Sequence, residues 1–140
     1  MLLKLIFRDK VGMDRNNQFQ SREYEVNNSW QWHARPVSYL ASYLRNELDD
    51  GCLEKIKIES KGKKFFYDIE RPPDTCELLF NIHPPIVIRF SIKGKNEETE
   101  ERVLNTIEKI LNADYKKRAS VSEIKKYISN PHLLGKNREY

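Results

Sequence analysis

Period-two alternation between residues 52 and 93 constrains this chain more than any other feature. Phe65, Tyr67 and Ile69 fall on one side of a run whose other side is Phe66, Asp68 and Glu70. Cys76, Leu78, Phe80 and Ile82 alternate with Glu77, Leu79 and Asn81. Ile86, Ile88, Phe90 and Ile92 alternate with Val87, Arg89, Ser91 and Lys93. Such alternation marks half-buried strands, and β-branched and aromatic side chains suit that pleated surface. Gly62 offers a turn its conformational freedom. Pro72-Pro73 and Pro84-Pro85 lack the N–H that a central ladder requires, so they belong between strands. The stretch predicts four strands in two hairpins, at 53–59, 64–70, 76–82 and 86–92. One apolar and one polar face mean a sheet covered on one side only.

The cover comes from either end of the chain. Val37, Leu40, Leu44 and Leu48 keep the helical period over about 37–48, with Pro36 in the first turn and Gly51 as a left-handed cap. Asn96 caps a helix at 97–112, whose first turns carry Glu97, Glu98, Glu100 and Glu101. Its stripe is Val103, Leu104, Ile107, Ile110 and Leu111. Ser120-Val-Ser-Glu123 reads as a capping box before a helix at 121–129. Residues 2–8 read as an opening strand and 22–26 as a second, with Tyr24 and Val26 inward. The polar stretch 11–21 has no period and is expected to be a mobile loop; the tail 135–140 is expected to fray. The fold class is α+β: an antiparallel sheet of four to six strands, its central meander at 52–93, with helices packed on one face. A chain of 140 residues fits one domain, 1–140.

Composition narrows the setting. The longest apolar run has only a strand's length, so no membrane span is expected. The start lacks the pattern of a secretory signal, since Arg8-Asp9-Lys10 follow a short interrupted apolar run. Cys52 and Cys76 form no C-x-x-C pair and read as reduced thiols; a disulfide requires the first and third core strands to be neighbours. The expected location is the cytoplasm.

Catalytic motifs are scarce. His33, His83 and His132 have no partner at metal-binding spacing, and there is no glycine-rich phosphate loop and no G-x-S-x-G. No metal or cofactor is expected. The positive signal is Trp30, Trp32, Arg35, Tyr39 and Tyr43 near one helix entrance, the residue types that anchor interfaces. The first expectation is therefore a small non-catalytic binding or regulatory module whose partner is another protein. An alternative is nucleic-acid binding. Residues 51–95 hold nine Lys and Arg against six Asp and Glu, and 115–140 hold seven against two. Lys55, Lys57, Lys63, Lys64, Lys116, Lys117 and Arg118 are the phosphate-contact candidates. A third reading is a metal-independent ribonuclease, with His33 and His83 as proton-transfer groups and Arg35 stabilising the phosphorane.

Overall fold

The computed structural model describes residues 19–27 and 31–129. The expected strand at 2–8, most of the loop 11–21, Trp30, His132 and the tail 135–140 lie outside the described residues. Among the described residues, four strands and four helices follow in the order β1 (Gln20–Val26), α1 (Ala34–Asp49), β2 (Leu53–Ser60), β3 (Lys63–Tyr67), α2 (Thr75–Asn81), β4 (Ile86–Gly94), α3 (Glu97–Asn112) and α4 (Arg118–Ser129). The fold is α+β, as the alternation and the flanking helical stripes predict. The sheet order is β1-β4-β2-β3, and every neighbouring pair is antiparallel.

One expected strand is a helix. Residues 76–82 do not pair with β3; residues Thr75–Asn81 coil into α2. Asp74 is extended, and its carboxylate accepts the Glu77 N–H at 3.1 Å. That cap contributes about 1 kcal/mol, and the preceding prolines already break the ladder. Leu78 and Ile82, four apart, both reach the core, while Phe80 points away from it and is 82% exposed. Over seven residues the same alternation serves a strand or a two-turn helix, and the Asp74–Glu77 spacing decides for the helix.

The meander is also rearranged. Of the two expected hairpins, β2 and β3 form the first, turning through Lys61 and Gly62 with φ of 50° and 82°. Positive φ at both central residues gives the turn whose twist matches its strands, and glycine takes the second place without strain. Strand β3 stops at Tyr67 because the Asp68 carboxylate accepts the Glu70 and Arg71 N–H groups, which turns the chain. Ile69, expected to face inward, is consequently 59% exposed. Strand β4 enters between β1 and β2. Its Ile88, Phe90 and Ile92 are wholly buried, and each contributes about 1.5–3 kcal/mol of burial. Gly94 ends β4 where it crosses the start of β2; a Cβ there would meet the Cys52 carbonyl oxygen at 2.8 Å.

Helices α1 and α3 cover the inner face of the sheet, and α4 packs against both. The predicted bounds of α3 are the observed ones, with Asn96 Oδ1 accepting the Thr99 N–H at 2.8 Å. Helices α1 and α4 start earlier than predicted. His33 caps α1, which places Pro36 inside its first turn. Asp114 accepts the N–H groups of Lys116 and Lys117 and starts α4 at Arg118, so Ser120 lies within the helix and the expected capping box is not used. Arg35 bonds to the Tyr115 carbonyl at one end of α1, and Asn46 bonds to the Ile128 carbonyl near the other. Helix α4 therefore runs alongside α1 in the same direction. Arg102 meets Glu47 near the C-terminal end of α1 and Gln31 meets Asn112 before its start, so α3 runs the opposite way.

Candidate functional site

The aromatic cluster predicted at the helix entrance divides. Trp32 is 3% exposed and Tyr43 has no exposure at all. Both belong to the core, and neither can anchor a partner from there. The Trp32 indole N–H has no hydrogen-bond partner among the described residues. Tyr43 lies beside an ion pair between α1 and α3. The Glu47 carboxylate is fully buried and takes both arms of the Arg102 guanidinium, at 2.6 and 3.2 Å. Burial first, and the Glu47 charge second, raise the Tyr43 phenol far above its ordinary value. The same two causes, in the same order, raise the Cys52 thiol.

Arg35 and Tyr39 stay at the surface and gain company that their positions in sequence do not suggest. Arg35 Nη1 donates to the Tyr115 carbonyl at 2.8 Å. The Tyr39 and Tyr115 rings stack with centroids 5.8 Å apart and planes 22° from parallel, both half-buried. Lys116, Lys117 and Arg118 follow directly and are exposed. The structure thus brings two members of the predicted aromatic cluster together with the second predicted basic segment. It places the other lysines elsewhere. Lys57 and Lys64 project from the face of the sheet away from the helices and share Glu59, at 3.9 and 4.0 Å. Lys55 alternates onto that same face, and Lys63, on the opposite side of its strand, donates to the Asn81 carbonyl of α2. On that face Arg89 also pairs with Glu23 and Lys93 with Glu54. A depression of about 300 Å³ beside the β2–β3 turn is lined by Glu23 and Glu59 as well as Lys64 and Arg89, so it has no uniform sign.

The two described histidines, His33 and His83, each bond to a nearby backbone group. His33 Nδ1 accepts the Arg35 N–H at 3.4 Å, and His83 Nε2 lies 3.0 Å from the Phe80 carbonyl. No hydrogen bond among the described residues joins His33 or Arg35 to His83, the set a ribonuclease would need. Nor do three His, Cys, Asp or Glu side chains gather into a metal-ligand set among the described residues. Cys52 is buried and Cys76 exposed, and they are not bridged.

A second surface was missed by the sequence reading. Strand β3 is an outer strand of the described sheet. Its Phe66 is 55% exposed, and Ile69 and Phe80 are more so. Hydrogen bonds tie this flank together: Tyr67 to Glu77, Arg71 to Glu77 and Arg71 to the Phe66 carbonyl. Cys76, exposed, lies one helical turn before Phe80 on the outer side of α2. The D-x-x-E spacing of Asp74 and Glu77 is the signal that would have turned Phe80 outward. No helix among the described residues is long and apolar enough to cross a membrane. The chain matches no protein-family model, no curated protein and no solved structure.

Proposed function

We propose that the chain is a small non-catalytic binding module that acts through contacts with another protein, and that the contact surface is the α2–β3 flank. The exposure of Phe80 carries this reading. A phenylalanine that leaves 82% of its surface in water, in a chain that encloses two dozen other apolar side chains, costs the free protein solubility and returns nothing to its stability. Phenylalanine at the buried centre of a contact is a recurrent anchor. Ile69, also exposed, follows the end of β3, an outer strand of the described sheet, and the Phe66 carbonyl is tied to Arg71 on this flank. The unbridged thiols support a reducing compartment, and so a cytoplasmic setting.

Cys76 supplies the test, being exposed beside Phe80 while Cys52 is buried. A photo-cross-linker attached through the Cys76 thiol reports on whatever docks against Phe80. In extract of the source cells the native chain is expected to give one discrete protein adduct. Phe80→Ser is expected to lose that adduct while keeping its melting temperature, because exposed substitutions move stability by only about 0.5 kcal/mol. An adduct unchanged by Phe80→Ser, or no discrete adduct from the native chain, contradicts the proposal.

A further inference from the structure

Positive charge is distributed unevenly over this molecule. The start of α1 and the region around α4, residues 31–39 and 109–129, hold seven Lys and Arg against two Asp and Glu, a surplus of five in a chain whose net charge is +4. The two acids there are turned to local tasks: the Asp114 carboxylate accepts the Lys116 N–H, and Glu123 accepts the Tyr127 hydroxyl at 2.9 Å. On the face of the sheet away from the helices, Lys57, Lys64, Arg89 and Lys93 each face a carboxylate. Near the end of α1 where Arg35 meets Tyr115, Lys117 and Arg118 are exposed, while Lys125 and Lys126 lie further along α4 toward Asn46.

We propose that this end binds single-stranded nucleic acid, a function beyond the protein contact proposed above and on a different surface. Arg35, Lys117 and Arg118 contact phosphates, and the Tyr39–Tyr115 stack is the platform for an unpaired base. Arg35 spends one of its five donors on the Tyr115 carbonyl, which fixes the guanidinium and leaves the rest for a phosphate. Aromatic rings interleaved with cations are the usual equipment for a strand whose bases are unstacked. The chemistry does not suit an anionic membrane. Among the described residues, the large exposed apolar side chains, Phe66, Ile69, Phe80 and Val87, are all elsewhere. The apolar side of α4, with Ile124 and Tyr127, is spent in the core, so among the described residues this helix keeps no apolar face to enter a bilayer. A duplex suits it no better, because its bases are already stacked on one another and cannot lie on the tyrosine platform.

Fluorescence anisotropy with a labelled mixed-sequence strand of about 16 nucleotides tests this on the full chain. Three phosphate contacts give a slope of log affinity on log salt of about −2, since each contributes about −0.7 on single strands. Lys117→Gln with Arg118→Gln is expected to weaken binding at least about tenfold and to bring the slope to about −0.7. Lys57→Gln with Lys64→Gln, equal in charge lost, is expected to leave both unchanged. Phe80→Ser is expected to bind the strand normally, which separates a failure here from a failure of the protein-contact reading. The proposal is overturned by an absence of binding at the lowest salt, or by equal losses from the two double variants. It is also overturned if a duplex of the same sequence, or phosphatidylserine vesicles, bind more tightly than the single strand.

Discussion

At the scale of the residue, the tyrosines report how completely this small core is closed. Tyr24, Tyr43, Tyr67, Tyr115 and Tyr127 all have phenols raised above the ordinary 10, burial being the largest cause in each; Tyr127 is pushed up to about 12. The folded state holds these protons more tightly than the unfolded chain does. Their stabilisation is therefore complete below pH 10 and is lost as pH rises from there toward the folded values. The phenolate absorbance of these five is expected to appear cooperatively, together with loss of secondary structure. A gradual phenolate titration starting near pH 10, with the fold intact, contradicts the burial described. Trp32 and Tyr43 also explain why the aromatic cluster could be seen in the sequence but misjudged. Aromatics beside a helix entrance serve equally as core and as contact. Which of the two they are depends on α3, which covers the flank of α1 carrying Tyr43 and Glu47.

At the scale of the element, legibility followed the number of independent signals. Helix α3 has a cap, an acidic first turn and a continuous stripe, and its bounds were read correctly from all three. Helix α2 has one buried pair and a cap, and its alternation mimics a strand. The placement of β4 between β1 and β2 was not legible, since alternation states which face of a strand is buried and not which strand lies beside it. The tie between α1 and α3 was equally hidden, because Glu47 and Arg102 are far apart in the chain. That tie has a measurable weight. Removing one partner of a buried pair leaves the other charge without compensation, at a cost of about 3–5 kcal/mol. Arg102→Ala is expected to lose about that much stability in urea unfolding, while replacing both partners by leucine recovers most of it. A loss below about 1 kcal/mol for Arg102→Ala is the value of a solvent-exposed pair and contradicts the enclosed carboxylate.

At the scale of the whole molecule, α1 sets the separation between the two proposed surfaces. Its 16 residues span about 24 Å. Arg35, at its start, meets the α3–α4 connection, and Arg45, near its end, bonds to the Pro73 carbonyl just before α2. A protein docked on Phe80 and a strand docked beside Tyr115 would occupy different parts of the molecule, so one chain can hold both. This arrangement rests on which aromatic side chains face water. Residue-resolved hydroxyl-radical footprinting of the native chain measures that directly, because an indole is intrinsically the more reactive ring. The structure reverses that order: Phe80 is expected to be oxidised well before Trp32, and Trp32 to react only once the chain unfolds. Rapid oxidation of Trp32 in the native chain with Phe80 protected would contradict the account.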